Sequence, residues 1–465
     1  MVDERVRRWR EVLAGAFRDR LVVLAGGPVA GSTGRVTNLR AFGARRCLVL
    51  GAGRGTGAVP DRADADVVCC DLPAAADVPA SIRAEEQLFA DPPAAFRDAL
   101  TRFDPHGDAL VLTPPFAAVY EVAGRPAYGG RRPEWVALED KTAVDGLLDA
   151  ADVPIPPFEV VDASDTSLVA AAGRLDRGAG TVWAGDAREG FNGSAAYVRW
   201  VRDAGDAEEA SAHLAPRCAR VRVAPFVEGI PCSIHGFVAA TGIAVFRPVE
   251  LLTLRSPTAP RLRFAGANTL WDARPDDRDV MRAAARRLGT VLRDRVGFRG
   301  AFTVDGIMSV DGWVATECNP RFGAGLAYAR TAVPNLPLDL LHHVVIAGDG
   351  DGVDAGELEA LVTAAADAAR WGATWTTSST VWPHSSTLQL VGDGSGYAPA
   401  PADSVADAVL SFGPGPTGGF VRCEFAADRT PVGVSLAPHA IAALAFADEY
   451  AGAGIGPLTA PAVVR

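Results

Sequence analysis

The stretch "FTVDGIMSVDGWVATECNPRFGAG", residues 302–325, decides how the chain is read. Two strand-like runs flank Val310-Asp311-Gly312, the pattern of antiparallel strands joined by a tight turn. Asp305 and Glu317 then fall on paired strands. Asn319 follows Glu317 by two residues, so their side chains share a face. Two carboxylates and an amide oxygen make a hard oxygen set. It suits Mg²⁺ with bridging phosphates, with Mn²⁺ as the alternative, better than zinc. Arg321 keeps the period of two and sets a planar cation beside these ligands. That arrangement suits a phosphoryl group and a carboxylate held together. A solvated hairpin with an acidic face is the competing reading. A strand that ends Glu-x-Asn-Pro-Arg and enters a glycine-rich loop is much less common by chance.

Around this stretch lie 465 residues, 49% hydrophobic and 22% charged, with a formal net charge of −11. Length suggests two to four domains with substantial cores. So acidic a chain lacks the basic footprint of a phosphate-backbone binder, so no nucleic-acid partner is expected. The seven cysteines are scattered without a CxxC, and the seven histidines show no HxxxH. Reduced thiols in a cytoplasmic protein are expected, without structural zinc. "MVDERVRRWREVLAGAF" reads as an amphipathic helix, since charges interrupt what would be a signal's apolar core. No run of 18 apolar residues is present, so no membrane span is expected.

The expected fold class is α/β and α+β multidomain. Residues 1–137 alternate strands (20–27, 47–51, 66–72, 108–115) with helices, including a candidate over 81–103, as a small doubly wound, Rossmann-like sheet. "GAGRGTG" (51–57) is better read as a loop than as a dinucleotide fingerprint, because Pro60 and a further strand follow where a helix is required. "LAGGPVAGSTG" (24–34) is a second loop, near a substrate or simply turning the chain. "LEDKTAVDGLLDAADVPIPP" (138–157) predicts an amphipathic helix starting at Lys141, with Val144, Leu147 and Leu148 inward and Pro154, Pro156 and Pro157 ending it. Strands at 180–185 and 197–201 flank a loop, 186–195. Two β segments surround Glu228-Gly229, and a helix covers 277–296. The last residues, 346–465, read as a small β-rich domain with a closing helix.

"TECNPRFGAG", with Asp305 twelve residues before Glu317, resembles the ATP-grasp superfamily. "LEDK" with its helix and "DVPIPP" is similar to the segment that introduces that fold. "GTVWAGDAREGFNGSAAYVRWV" resembles its strand–glycine loop–strand lid, and "VAPFVEGIPCSI" its hinge strand. The resemblance covers roughly residues 1–345 and implies an ATP-grasp domain over 138–345, with a lid over about 155–228, behind the N-terminal α/β domain. By this resemblance, Asp305, Glu317 and Asn319 bind magnesium bridging the phosphates of ATP. Arg321, with Arg299 as second candidate, stabilises the transferring phosphate. Lys141 reaches the ATP phosphates. Gly190, Asn192, Gly193 and Ser194 form the phosphate lid. Ala224, Phe226, Val227 and the adjoining Glu228 receive adenine, and Trp183 lies on the strand before the lid. The family often carries a second lysine on that strand. Here Ala184 or Gly185 stands there, and Arg188 is the candidate to compensate. The residue expected to hold the ribose is unassigned, near Pro231-Cys232.

The implied activity is an ADP-forming ligase joining a carboxylate to an amine. The branch resembled is that of natural-product peptide ligases of the pheganomycin type. Small-molecule or peptide substrates are expected, with a homodimer as the alternative to a lone chain. The rivals are a purine-pathway or carboxylase-type member and a non-catalytic nucleotide binder. One residue stands out by composition: of 45 Lys and Arg residues, Lys141 is the sole lysine. His235, His342 and His343 are read as structural. Trp371, Trp375 and Trp382 are read as packing between domains. Arg255, Arg261 and Arg263 are left open between a substrate loop and a solvated one.

Overall fold

The computed structural model describes residues 4–188, 190, 193–392 and 396–462. Near the N-terminus, strands Asp66–Cys69, Arg46–Gly51, Leu21–Ala25 and Leu110–Leu112 form a parallel sheet in that spatial order. Val22 and Leu24 pack on Trp9, Leu13 and Leu39, while Val23 and Ala25 pack toward Phe89, Phe96 and Phe103. Burial on both faces explains the unbroken apolar runs of Arg46–Gly51, Leu21–Ala25 and Leu110–Leu112, while the edge strand Asp66–Cys69 is mostly exposed. "GAGRGTG" is a loop, and it pairs with the other glycine-rich loop through Val29 N to Gly53 O (3.0 Å) and Ala30 N to Arg54 O (2.9 Å). The helix expected over 81–103 is two helices, Val78–Ala90 and Ala94–Phe103. Pro92 and Pro93 fall between them; proline's fixed φ and missing N–H, and its restriction of the preceding residue, break the helix there.

A second sheet of four antiparallel strands follows, in the order Glu159–Asp162, Arg220–Pro225, Thr181–Gly185, Val198–Val201. Helices Asp165–Leu175 and Ala204–Leu214 cover one face. The other face looks onto a cavity. The predicted helix at Lys141 begins later: residues 141–144 form a turn, and the helix is Asp145–Ala150. Val144, Leu147 and Leu148 do point inward.

The third sheet has 11 strands. Strand Gly300–Ser309 sits between Gly312–Asn319 and the hinge strand Ile230–Ala239. Helix Pro275–Val296 packs Met281, Ala285, Leu288 and Leu292 behind it, in one core with Ile234, Phe302 and Val304. The C-terminal strands continue the same sheet, because Gly266–Asn268 pair with Gly372–Thr374. The buried Glu250 carboxylate adds a tie between distant parts of the chain. It accepts from Asn268 Nδ2 (2.6 Å), Leu436 N (2.8 Å) and Ser435 Oγ. All seven cysteines are free thiols, and no described helix is long and apolar enough to cross a membrane.

Candidate active site

The hairpin brings its carboxylates together with the help of a β-bulge. A two-residue turn at Val310-Asp311 pairs Ser309 with Gly312 and, counted back, Gly306 with Ala315. Continued without interruption, that register would set Asp305 opposite Thr316. A shift between Asp305 and Gly306 pairs Asp305 with Glu317 instead. Bulges re-aim side chains in this way. Across three strands the rows are then Ser233–Asp305–Glu317 and His235–Thr303–Asn319.

Asp305 accepts hydrogen bonds from Ser233 Oγ and, at 3.0 Å, from Asn319 Nδ2. Burial pushes its pKa above the usual carboxylate range, and the charge of Glu317 adds to this. Burial opposes ionisation of Glu317 too, but Lys141 and Arg321 outweigh it, so that pKa falls. Lys141 Nζ lies 3.2 Å from Glu317 Oε2 and is itself buried. Arg321 Nη2 donates to Asn319 Oδ1 and its Nε to Glu139 Oε1, both at 3.0 Å. Glu139 also pairs with Arg131. The stretch 139–145 therefore ties the floor of the site to its roof. Glu139 and Lys141 hold the hairpin side. Asp140 Oδ2 accepts from Ala187 N in the lid (3.3 Å), and Asp145 accepts from Arg222 on a lid strand.

These groups border a cavity of about 1730 Å³ between the two antiparallel sheets. That exceeds the few hundred to 1,000 Å³ usual for one small ligand. Lys141, Gly193, Ser194, Ala224, Phe226, Val227, Asp305, Glu317, Asn319 and Arg321 all line it. Phe226 stacks on Trp200 with centroids 4.3 Å apart. The glycine-rich loop after the hairpin lies directly on the sheet. A Cβ on Gly323 would meet Thr303 Oγ1 at 2.2 Å, and one on Gly325 would meet His235 at 2.6 Å.

Other expected residues are elsewhere. Trp183 is fully buried in the lid core and donates to Thr181 Oγ1 (2.9 Å), because strand alternation turns Val182 and Ala184, not Trp183, to the cavity. Arg188 is exposed and outside the lining. Asp186 holds Ala219 N and Arg220 N, so the chain leaves the sheet before Arg188. Gly190 is exposed and also outside the lining, and Asn192 lies outside the described residues. Arg299 donates to Phe298 O, stands just before strand Gly300–Ser309, roughly 20 Å from Asp305 at ~3.3 Å per residue, and is outside the lining. Glu228 is not itself in the lining; it pairs with Arg255 (2.5 Å), which is, and accepts from Ala462 N (2.9 Å). Arg255 lies over Trp200 and Phe226, so it braces the hinge. Trp371 and Trp375 line the cavity, with Trp375 edge-on to Phe264 at 5.6 Å. His342 Nδ1 accepts from Ala301 N (2.9 Å) and His343 Nδ1 lies 3.1 Å from Gly129 O; both side chains are buried.

Sequence reasoning missed Ser233, Glu139, Asp145 and Arg222. Ser233 was within reach, as a small polar residue on the hinge strand. Arg222 alternates with buried Val221 and Val223 and reads as a solvated strand face until the cavity is seen.

The donor set passes a test for a divalent cation. Two carboxylates on one sheet face, one held protonated-prone by burial and its neighbour, gain from a cation between them. The oxygen ligands suit magnesium. Among the described residues no three His, Cys, Asp or Glu side chains gather as a metal cluster. The set here is two carboxylates and an amide, with further oxygens left to a ligand.

No family model matches the chain, and no curated protein matches it. Solved structures do. A biotin carboxylase–β,γ-ATP complex from Campylobacter jejuni aligns with a TM-score of 0.56 at 10% identity, covering 88% of this chain and 88% of that one. Carboxyaminoimidazole ribonucleotide synthase from Aspergillus clavatus, complexed with ATP, aligns with a TM-score of 0.50 at 13% identity, over 89% and 94%. An L-amino acid ligase from Bacillus licheniformis aligns with a TM-score of 0.49 at 13% identity, over 88% and 94%. At such identities the likeness concerns the fold, which is the ATP-grasp fold behind a Rossmann-like N-terminal domain.

Proposed function

We propose that the chain is an ATP-dependent ligase that activates a carboxylate as an acyl phosphate and couples it to an amine, with release of ADP and phosphate. The observation that carries this reading is the charged floor: Asp305, Glu317 and Asn319 beside Lys141 and Arg321, facing the lid strands across one cavity. Asp305, Glu317 and Asn319 would hold magnesium, which offsets charge on the phosphates of ATP. Phe226 and Val227 border the adenine end. Gly193 and Ser194 close over the phosphates and exclude water, which would hydrolyse an acyl phosphate.

The chemistry needs no side-chain nucleophile. A carboxylate oxygen of the acid attacks the γ-phosphorus, and the bond to ADP breaks. The amine nitrogen then attacks the activated carbonyl, loses a proton, and phosphate leaves. Arg321 is held by Glu139 and Asn319, so its cation is in place where the two anions meet. The finer reading is a peptide-forming ligase of natural-product type, supported by a cavity with room beyond one nucleotide and by the aromatic wall at Trp375 and Phe264.

Carboxylase-type chemistry, with bicarbonate as the acid, is the second reading, favoured by the fold shared with the biotin carboxylase. The test measures ADP and phosphate release with panels of carboxylates, bicarbonate included, and amines, with products identified by mass spectrometry. Amine-dependent ADP release with an organic acid is expected. Release with bicarbonate alone moves the chain to the second reading, and no amine-dependent release from any pair overturns the ligase.

A further inference from the structure

Arg222 has no part in the chemistry above, yet it faces the same cavity. On the roof it pairs directly with Ala184 across the antiparallel strands, so both side chains lie on one face. Both line the cavity, as does Lys141. The Arg222 side chain is 6% exposed. Its Nε and Nη2 donate to Asp145 at 2.8 and 2.7 Å, and its guanidinium lies 4.8 Å from the Phe158 ring centroid. Among the described residues Nη1 has no hydrogen-bond partner, and it is not sealed from the cavity. One face and two edges of the cation are therefore fixed, and one donor edge is left for an acceptor that the protein does not supply.

The charge pattern says what that acceptor is. On the floor, Glu317 is met by Lys141 with Arg321 nearby, and the carboxylates there repel rather than accept an anion. The roof opposite them offers Val182, Ala184 and Ala224, none of which can bind an anion, and the cation Arg199, whose Nη1 already donates to Ala196 O and Val198 O, both at 2.8 Å. Of the two roof-strand cations, Arg222 is the one with a donor edge left for a phosphate chain lying between roof and floor. We infer that Arg222, oriented by Asp145, is a phosphate-binding residue of the nucleotide site, acting from the position across the strand pair from Ala184. This rests on the proposed reading that the cavity binds a nucleoside polyphosphate.

The experiment measures affinities of the full chain for ATP, ADP and AMP, each with magnesium, by calorimetry. No acid or amine is needed, so the result does not depend on ligase turnover. Arg222→Met is combined with Asp145→Asn, so that no buried charge is left unpaired. The double variant should lose roughly 10- to 100-fold in affinity for ATP and ADP, the size of a charge-assisted hydrogen bond. AMP, which lacks the outer phosphates, should change far less. Adding Ala184→Lys, which returns a cation from the facing strand, should restore the preference for ATP over AMP. An unchanged ATP-to-AMP ratio, an equal loss for all three nucleotides, or a ratio that the lysine does not bring back would each overturn the inference. A wild-type chain that binds none of the three overturns the nucleotide reading itself, which keeps the two failures apart.

Discussion

The hairpin 300–319 and the lid strands 181–185 and 220–225 present polar groups to one cavity by different routes. On the floor, Asp305, Glu317 and Asn319 come from one hairpin and touch one another within 14 residues of chain. On the roof, Ala184 meets Arg222 only because a strand and a helix have returned the chain to the same sheet. On the floor Lys141 meets Glu317, while Asp305, held by Ser233 and Asn319, still gains from a cation. The roof holds its cation through Asp145, outside the lid, and leaves one edge open. The difference is one of sign: the floor presents carboxylates suited to a cation, the roof a guanidinium edge suited to an anion. The stretch 139–145 joins the two, which gives the lone lysine its setting.

The largest effect should come from breaking the floor. Glu317→Gln removes a carboxylate that faces Asp305 and anchors Lys141. Turnover should fall by roughly 100-fold or more, the scale of losing one preorganised electrostatic contact. Steady-state kinetics on the coupled reaction check this, and full turnover would remove Glu317 from the metal-binding set. Lys141→Arg tests the link between floor and roof. Lys141 is buried, 6% exposed as a residue, and its ammonium sits 3.2 Å from Glu317. A guanidinium is longer and planar and does not fit the same pocket. The KM for ATP should rise roughly 10-fold or more. Unchanged kinetics would show that any cation serves there, and the contrast between floor and roof would lose its connecting element.

What was legible in the sequence depended on the range of the contacts. The hairpin, its turn and the shared face of Glu317 and Asn319 follow from periodicity within a few residues. The bulge was not legible. Spacing alone sets Asp305 against Thr316, and only the observed register sets it against Glu317. The parallel N-terminal sheet showed itself in unbroken apolar runs, while the break at Pro92-Pro93 was overlooked because the flanking residues are good helix formers. Lys141 was found by composition but placed on a helix, since Asp140 was not recognised as holding a turn through Thr142 N (2.8 Å) and Thr142 Oγ1 (2.7 Å). Arg222 and Asp145 are 77 residues apart in sequence, and no local pattern reports such a pair. Trp183 and Arg299 are site candidates by the resemblance alone; strand alternation turns Trp183 into the lid core, and Arg299 stands before strand Gly300–Ser309, outside the lining.

The smallest effect should be at Asp140, the other link from this stretch to the roof. Its Oδ2 accepts from Ala187 N at 3.3 Å, near the long limit of a hydrogen bond, while its Oδ1 holds the turn at Thr142. Asp140→Ala loses a weak lid contact, about 0.5–1 kcal/mol, and two turn bonds to Thr142 N and Oγ1, about 2 kcal/mol together. The KM for ATP should rise roughly 2- to 5-fold by the same scale, with kcat unchanged. The midpoint of thermal unfolding should fall by about 2 °C. Lys141→Arg and Asp140→Ala thus separate two explanations of the stretch. If the ammonium acts as a charge, the first substitution far exceeds the second. If the stretch acts mainly as a mechanical tie between floor and roof, loosening the turn at Asp140 raises KM as much as replacing Lys141.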